Sequence, residues 1–228
     1  MQHALQTEGF GVRLRPVRMT DAAFIVWLRN SDHVKGKVGD SAADVASQEA
    51  WLEAYFGRKN DYYFIAETLG GIPVGTYGIY GVRRTSAELG RHIIRLDVLA
   101  GVPTAVLATD LAFDRLGLSE LRTNVVSTNR PILSVHQKSG YKQVGTLHAA
   151  LTIGGKPVDL VQFHLKAEDW ARVRERLLPL ARLAGSHVLD WERTQGPCAV
   201  CKMGLEVRYS HFLFCWEQSF LQPVWRMG

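Results

Sequence analysis

Hydrophobic and polar residues alternate at the start of the chain and then recur at helical spacing. The stretch "GVRLRPV" at 11–17 has the period of a half-buried strand. Apolar residues recur every three or four positions in "DAAFIVWLRN" and in "SQEAWLEAYF", which predicts two amphipathic helices. The segments "YYFIAET", "IPVGTYGIYG" and "SAELGRHIIRL" are rich in β-branched and aromatic residues, and short turns separate them. Three consecutive strands are therefore predicted.

In the second half of the chain the pattern alternates between helix and strand. "TAVLATDLAFDRLGL" predicts a helix, "LRTNVVST" a strand, and "NRPILSVHQKSG" a short helix with Asn129 as N-cap and Gly140 at its end. Two strands, "YKQVGTL" and "KPVDLVQFHL", and an amphipathic helix, "AEDWARVRERLLPLARL", follow. On the short helix Ile132, Val135 and His136 share one face, so a histidine lies on its apolar side.

This order of elements predicts an α/β fold of the α+β type. We expect a mixed, mostly antiparallel central sheet of about seven strands, flanked by helices on both faces. The helical pattern ends near residue 184, and residues 186–228 are rich in Trp and Phe with no convincing period. One domain is therefore expected over residues 1–185, with a C-terminal appendage over 186–228 that is either a small Cys/His module or a poorly ordered tail.

Composition and charge narrow the classes of partner. The 228 residues are 46% hydrophobic and 21% charged, which is ordinary for a globular protein. A net charge of +5 suits an anionic ligand, but the chain has no run of Lys and Arg, so nucleic-acid binding is not predicted. No stretch approaches the ~20 apolar residues of a membrane span. The N-terminus has no apolar signal core, and a cytoplasmic protein without a membrane partner is expected.

The three cysteines all lie near the end of the chain. Their absence from the first 197 residues excludes a cysteine nucleophile or a disulfide framework there. The signatures of serine hydrolases, P-loop proteins and zincins are also absent. Cys198, Cys201, His211 and Cys215 follow the pattern C-x2-C-x9-H-x3-C, which is compatible with a small zinc module. The alternative is a tail with unpaired thiols, and we commit to no metal ligand.

Three stretches, taken in order, resemble the GNAT superfamily of N-acetyltransferases over roughly residues 11–166. "AELGRHII" resembles the family's fourth strand, whose exposed backbone pairs with the pantetheine arm of acetyl-CoA. "LAFDRLGLSELRTNVVSTN" resembles the end of its third helix, its fifth strand and the Asn that follows. "NRPILSVHQKSGYKQVG" resembles its run of Asn, helix, Gly-aromatic pair and strand.

The resemblance implies acetyl-CoA as co-substrate and a set of residues that contact it. Those residues are Ile93, Ile94, Arg95, Ala100, Gly101, Val102, Thr104 and Asn129. Amides at the start of a helix suit the pyrophosphate, and the short amide of Asn129 suits an amide of the arm. Alternatively, Asn129 is only a helix cap.

The loop "RLDVLAGVPT" departs from the family's pyrophosphate motif. The motif has Gln or Arg, two residues, Gly, one residue, and then Gly or Ala. Here either Val98 or Leu99 occupies the position of its first glycine, and a branched side chain restricts close approach of phosphate to the backbone. Pro103 removes one further N–H, although a proline suits the first turn of a helix. A weakened affinity for coenzyme A is one consequence to be tested.

The resemblance assigns candidate catalytic roles to His136 and Glu88. His136 lies four residues before Gly140, where many family members have a tyrosine that protonates the leaving thiolate. A histidine suits that role because its ordinary pKa lies near 6.5. The alternative is a core histidine bonded to backbone. Glu88 resembles the general base of some members, the alternative being an outward-facing strand position. If strand alternation holds, His92 shares its face and is the alternative base.

The acceptor is expected to be a small molecule with a primary amine. "FIVWLRNSDHVKG" and the later "QEAWLEAYFGRKNDYYFIAE" resemble family members that acetylate nucleotide-linked amino sugars, which implies that Arg29 and Asn30 face the acceptor. Arg29 could bind a phosphate or carboxylate, or it could serve only the C-terminus of its own helix. The alternatives are a protein N-terminal or other small-molecule amine, or a non-catalytic acyl-CoA-binding or protein-interaction module. A homodimer is compatible with the sequence.

Overall fold

A computed structural model describes residues 3–39 and 42–195. Its strands are β1 (Thr7–Gly9), β2 (Val12–Pro16), β3 (Tyr62–Thr68), β4 (Pro73–Arg83), β5 (Ser86–Ile94), β6 (Glu120–Val126), β7 (Lys142–Ile153) and β8 (Lys156–Lys166). Its α-helices are α1 (Ala22–Arg29), α2 (Val45–Phe56), α3 (Gly101–Asp110), α4 (Arg130–Ser139) and α5 (Ala167–Thr194). A single 3-10 turn precedes α1, and a π-helical turn over Leu111–Arg115 follows α3.

The strands of this region form one sheet in the order β1-β2-β3-β4-β5-β6-β8-β7. The pair β5–β6 is parallel, with α3 as its crossover, and the other strand pairs are antiparallel. The expected mixed, mostly antiparallel sheet is therefore confirmed. It has eight strands in the described residues because three-residue β1 pairs with β2. So short a strand has no alternation that the sequence could display.

Helices cover both faces of the sheet. On one face, here called the α1/α2 face, α1 and α2 pack on β3 around Ile25, Leu52 and Ile65. On the other, here called the α3/α5 face, α3 and α5 bury the larger core around residues such as Leu107 and Val188. The short helix α4 packs beside them, with Leu133 against Phe163 of β8. The sheet between these two layers is interrupted near its middle.

That interruption begins with a β-bulge in β5. Gly90 pairs with Gly78 and Ile93 pairs with Thr76, so Arg91 and His92 together oppose one residue, Tyr77. Arg91 has a φ of 50°, the left-handed conformation that a bulge requires and that side chains other than glycine rarely adopt. The extra residue reverses the alternation of side chains along the rest of β5.

The bulge also separates β5 from its parallel neighbour. Pairing between β5 and β6 ends at Leu89 and Thr123, although β5 continues to Ile94 and β6 to Val126. The last residues of both strands therefore diverge and have no partner strand across the gap. This divergence leaves backbone groups in the middle of the sheet that no ladder satisfies.

The final helix continues beyond the predicted end near residue 184. Helix α5 runs unbroken from Ala167 to Thr194, with Pro179 inside it, so the expected boundary at 185 falls within a helix. Its second half is packed on the domain: Trp191 is buried, and a carboxylate oxygen of Glu192 accepts from the Gly70 N–H at 2.7 Å. None of the described helices is both long and apolar enough to span a membrane.

Gly185 lies directly against the turn between β1 and β2. A Cβ at position 185 would lie 2.7 Å from the Phe10 carbonyl oxygen and 2.9 Å from the Phe10 carbonyl carbon, both backbone atoms that cannot rotate away. We predict that Gly185→Ala lowers the melting temperature, even though alanine gains about 1 kcal/mol in helix propensity over glycine.

The matched control is Ser186→Ala, at the next position on the exposed side of α5. Thermal unfolding should show no loss of stability for this variant. A Gly185→Ala protein as stable as the wild type would show that the second half of α5 does not pack on the domain.

Candidate active site

A cavity of about 510 Å³ passes through the sheet at the gap between β5 and β6. Its walls come from both faces: Tyr77, His92, His136 and Tyr141 lie on the α3/α5 face, while Tyr80, Glu88, Arg91 and Asn124 lie on the α1/α2 face. The segment after α1 closes one end, with Lys37, Val38 and Gly39 in the wall. A ligand in this cavity would touch both layers of the protein.

The structure brings seven of the predicted site residues to this cavity and leaves five outside its lining. Those in the lining are Arg29, Glu88, Ile93, Gly101, Val102, Asn129 and His136. Those outside it are Asn30, Ile94, Arg95, Ala100 and Thr104. These five residues lie at turns or at buried positions, where their side chains contact other parts of the protein.

His136 has a defined tautomer in its neutral form. Its Nδ1 lies 2.9 Å from the Ile132 carbonyl oxygen, which can only accept, so Nδ1 carries the hydrogen and Nε2 carries the lone pair. The ring packs against Tyr141 and Phe163, with centroid distances of 4.7 and 5.1 Å. Burial lowers the pKa of His136, and the hydrogen bond to Ile132 opposes this only in part. Near neutral pH the group is therefore a base.

His92 lies on the same side of the sheet as His136, and not with Glu88. Its ring packs on Tyr77 at a centroid distance of 4.8 Å. The expectation that His92 shares a face with Glu88 is wrong, because the bulge at Arg91 reverses the alternation between them. Protein surrounds the imidazole, although it opens onto the solvent of the cavity, and this burial lowers the pKa of His92. The nearby His136 lowers it further, while a bond to the Gly101 backbone raises it.

Glu88 is fixed from two sides on the opposite face. Its Oε1 accepts from the Tyr80 hydroxyl at 2.8 Å and from Asn124 Nδ2 at 3.0 Å. Gln162 Nε2 in turn donates to Asn124 Oδ1 at 3.1 Å, so Asn124 is also held in place. Both hydrogen bonds reach the same oxygen of Glu88, which leaves Oε2 available to a ligand. Burial raises the pKa of Tyr80, and the Glu88 charge raises it further, so Tyr80 stays a donor.

Asn129 lies at the start of α4 but does not cap it through its side chain. No capping hydrogen bond comes from its amide, and the first turn is closed by the backbone, with the Leu133 N–H donating to the Asn129 carbonyl at 3.1 Å. The side chain faces the cavity instead. The amide is therefore not committed to the helix and is available to a ligand in the cavity.

Arg95 supports the loop before α3 from beneath. Its guanidinium binds both oxygens of Asp97, at 3.0 and 2.8 Å, and lies 4.8 Å from the ring centre of Trp191 on α5. The side chain is buried, and the Arg95 N–H donates to the Val74 carbonyl at 2.9 Å. The residue expected to grip pyrophosphate thus ties the loop to β4 and α5.

Ile94 contributes its backbone to the gap, and a histidine already reaches it. Because the Arg95 amide bonds Val74 and Ile94 lies opposite Gly75, the N–H and C=O of Ile94 point away from β4. His33 Nε2 lies 3.0 Å from the Ile94 carbonyl oxygen. This contact ties the segment after α1 to the strand edge of the cavity. The sequence places His33 in this segment without distinguishing it.

Asn30 shapes the same segment. Its Nδ2 donates to the Val26 carbonyl at 3.0 Å and to the Ala42 carbonyl at 3.1 Å, so the amide links the end of α1 to the segment that leads into α2. Arg29 lines the cavity and donates from Nη2 to the Gly39 carbonyl at 3.2 Å. Of the two residues expected to face the acceptor, the structure brings only Arg29 to the cavity.

Sequence reasoning missed the residues that hold Glu88 and those that surround His136. Tyr80 lies directly opposite Glu88 in the β4–β5 ladder, so a correct hairpin register would have found it. Asn124 follows in the same way from the parallel pairing of Glu88 with Arg122. Neither register is visible in the sequence, because bulges interrupt the β4–β5 hairpin and the β5–β6 pair joins across a helix.

The described residues contain no cluster of three or more His, Cys, Asp or Glu side chains that could hold a metal ion. Cys198, Cys201, His211 and Cys215 lie outside the described residues, so the zinc hypothesis stays a sequence-based expectation.

Comparison with known proteins decides the family. The model of the acetyltransferase (GNAT) domain matches residues 12–142, more than half of the chain. The chain belongs to the GNAT family. It is an acetyltransferase that uses acetyl-CoA. Family membership therefore favours the enzyme over the alternative of a non-catalytic module that the sequence left open. A search of curated proteins finds no significant match.

Solved GNAT structures share the fold of this acetyltransferase. FdhC, described as a nucleotide-linked sugar GNAT, is 24% identical, with a TM-score of 0.63 over 80% of this chain and 99% of its own. A GCN5-related N-acetyltransferase from Brucella melitensis is 16% identical, with a TM-score of 0.68 over 78% of this chain and 86% of its own. Spermidine N-acetyltransferase from Vibrio cholerae, solved with CoA and spermine, is 17% identical, with a TM-score of 0.65 over 72% and 99%.

Thr104 provides a direct test of the cofactor residues that lie outside the lining. Its side chain is fully buried, and its hydroxyl has no hydrogen-bond partner among the described residues. We predict that Thr104→Val leaves the KM for acetyl-CoA unchanged and keeps or raises the free energy of unfolding, by up to about 1 kcal/mol, because an unpaired buried hydroxyl is removed.

The control is Thr109→Val, also fully buried in α3, whose hydroxyl donates to the Ala105 carbonyl at 2.8 Å and interacts with the phenols of Tyr77 and Tyr141. This change should lower the free energy of unfolding in a denaturant titration. A several-fold rise of the KM for acetyl-CoA in Thr104→Val would restore Thr104 to the cofactor site.

Proposed function

We propose that this GNAT enzyme transfers acetyl from acetyl-CoA to the primary amine of a nucleotide-linked amino sugar. The observation that carries the proposal is the cavity at the gap between β5 and β6, with a neutral imidazole on one side of the sheet and a carboxylate on the other. The geometry suits direct transfer in a ternary complex, because both substrates would reach the gap from opposite faces.

The residues around the gap fit the pantetheine arm of coenzyme A. The arm carries two amides, and the backbone of β5 beyond the bulge offers amide groups that no strand uses. Asn129 adds a side-chain amide that no helix cap occupies. Gly101 and Val102, at the first turn of α3, would present N–H groups and the positive end of the helix dipole to the pyrophosphate. Binding and orienting the coenzyme is the role of these residues.

Glu88 and His136 divide the proton chemistry. Acetyl-CoA supplies a thioester, whose C–S bond breaks as the amine nitrogen bonds to the carbonyl carbon. Glu88 would hold the amine through Oε2 and accept the proton that an ammonium group must lose before attack. The nitrogen becomes positive on attack, and the Nε2 lone pair of His136 would accept its second proton. His136 would then return that proton to the sulfur, which leaves with the C–S electron pair.

The charges of the cavity favour an anionic acceptor over a polyamine. Among the described lining residues Arg29, Lys37 and Arg91 are cationic, and Glu88 is the single carboxylate. A polyamine needs a carboxylate for each of its ammonium groups, whereas the phosphates of a sugar nucleotide need cations. The charge pattern therefore supports the acceptor type named for FdhC and not the spermidine acetylated by the Vibrio cholerae enzyme.

Asn129→Ala tests the cofactor side. Because the Asn129 amide makes no capping bond, we predict an unchanged melting temperature and a KM for acetyl-CoA raised about fivefold, the loss of one hydrogen bond of about 1 kcal/mol. The matched change is Asp44→Ala, since Asp44 does cap α2, accepting from the Ser47 N–H at 2.8 Å. This variant should lose stability and keep the KM. A lowered melting temperature with an unchanged KM for acetyl-CoA in Asn129→Ala would show that Asn129 serves only as a helix cap.

His136→Phe tests the proton acceptor. Phenylalanine keeps the packing on Tyr141 and Phe163 but removes Nε2, so kcat should fall about 100-fold or more while the KM for acetyl-CoA stays within about twofold. His187→Phe, at an exposed position of α5, should leave both constants unchanged. A His136→Phe enzyme with the wild-type kcat would refute the role.

The pH dependence follows from the lowered pKa of His136. A base acts in its neutral form, and a pKa below 6.5 means that this form dominates at neutral pH and is lost as the pH falls. We predict that kcat declines on the acid side with a midpoint below pH 6.5 and that His136→Gln lacks this acid limb. A midpoint above 6.5, or a rate that rises on acidification, would show that His136 acts first as an acid.

A further inference from the structure

A second, smaller cavity lies beside the first on the α1/α2 face. It has a volume of about 260 Å³ and is lined by Arg29, Ala42, Gln48, Trp51, Tyr63 and Arg91. Two of these residues, Arg29 and Arg91, also line the larger cavity, so the two spaces adjoin at a pair of guanidinium groups. The bulge in β5 makes this possible, because it turns Arg91 towards α2. Nothing in the acetyl transfer itself uses the smaller space.

Gln48 is the unusual member of this lining. The residue is only 5% exposed, yet its carboxamide forms no hydrogen bond with any described residue. The backbone around it is fixed, since Asp44 caps α2 and the Gln48 N–H donates to the Asp44 carbonyl at 3.2 Å. A buried carboxamide is costly when it is unpaired, so one that faces a cavity needs a partner there. The partner must offer acceptors, donors or both.

The charges around the cavity indicate that the partner of Gln48 supplies hydrogen-bond acceptors. Arg91 lies between aromatic rings, 5.1 Å from the centre of Tyr63 and 5.4 Å from that of Trp51, and it binds both oxygens of Asp61 at 2.5 and 2.9 Å. Arg58 lies over the same Trp51 ring, at 5.1 Å. Arg91 and Arg58 share the carboxylate of Asp61, Arg29 also lines the cavity, and none of the described residues in its lining is acidic. A guanidinium group binds the oxygens of phosphate or carboxylate in preference to neutral groups.

We propose that this cavity binds an oxyanion of the acceptor, a phosphate or a carboxylate, with Arg29 and Gln48 as donors. The inference rests on the proposed acetyl transfer, because the amine of the same molecule must reach Glu88 in the larger cavity. Arg91, tied to Asp61, contributes charge, and Trp51 forms an apolar wall. The acceptor is then selected by a negative group several bonds from the nitrogen that is acetylated.

Binding can be tested without turnover. Calorimetric titration with thymidine diphosphate, in the presence of saturating coenzyme A so that the pyrophosphate site is occupied, should detect binding to the wild-type enzyme at millimolar concentrations. Gln48→Met should weaken it about tenfold, the loss of a hydrogen bond to a charged group, and Gln48→Glu should abolish it by adding a negative charge. Gln6→Met, at an exposed position outside both cavities, should bind as the wild type does.

Turnover distinguishes the two sources of the oxyanion. If the group is a phosphate, kcat/KM for glucosamine 1-phosphate should exceed that for glucosamine at least tenfold, and Gln48→Met should reduce this ratio. If the group is a carboxylate, kcat/KM for an amino acid should exceed that for the corresponding amino-acid amide at least tenfold, and Gln48→Met should reduce this ratio.

The two proposals fail in different ways. Wild-type enzyme that binds thymidine diphosphate but acetylates no amine would overturn the proposed transfer and leave the anion subsite standing. Two outcomes would overturn the subsite: no binding of thymidine diphosphate together with no preference for either anionic amine, or wild-type binding and kinetics in both Gln48 variants. Melting temperatures of the variants confirm that each is folded.

Discussion

Two residues of β5, Arg91 and His92, oppose one residue of β4, Tyr77, and the arrangement of the site depends on that single extra residue. The left-handed backbone at Arg91 costs about 1–2 kcal/mol for a residue with a Cβ. The side chain offsets this cost through two hydrogen bonds to Asp61 and close packing on three aromatic rings. The strain is therefore offset by contacts on the α1/α2 face, and its consequence on the α3/α5 face is the position of His92.

Three features of the enzyme follow from the bulge. Pairing with β6 ends at Leu89, which opens the gap through the sheet. His92 turns to the face of His136, where two imidazoles with lowered pKa values line one wall. Arg91 turns to the other face, where it lies above Tyr80, the donor to Glu88. Without the bulge Arg91 and His92 would exchange faces, leaving the imidazole beside Glu88 and the guanidinium beside His136.

The sequence predicted the fold well because the fold follows from periodicity, which is a local property. The order of elements, the mixed sheet and the position of His136 before Gly140 all come from spacing along the chain. The reversal at Arg91 was missed because alternation was assumed to continue through the strand, and nothing in the letters "LGRHII" marks an extra residue. Arg95 was assigned to the coenzyme from a motif, but its burial beside Trp191 depends on a helix almost a hundred residues later.

The end of α5 was missed for a different reason, since the signal was present. Buried positions continue at spacings of four and three through Ala181, Ala184, Val188 and Trp191. Gly185 directly follows the predicted end near residue 184, and glycine is common at helix ends. In the structure it allows close approach of α5 to the Phe10 backbone. A glycine that ends a helix and one that permits packing look the same in a single sequence.

A crystal structure of the enzyme with coenzyme A would show whether the cofactor lies in the gap between β5 and β6. We predict that the pantetheine arm passes between Gly90–Ile94 and Asn124–Val126, with an arm amide bonded to the β5 backbone and the sulfur next to His136. Arg91 should keep its left-handed conformation. Coenzyme A bound elsewhere, or β5 and β6 paired along their full length with the arm outside the sheet, would refute this placement.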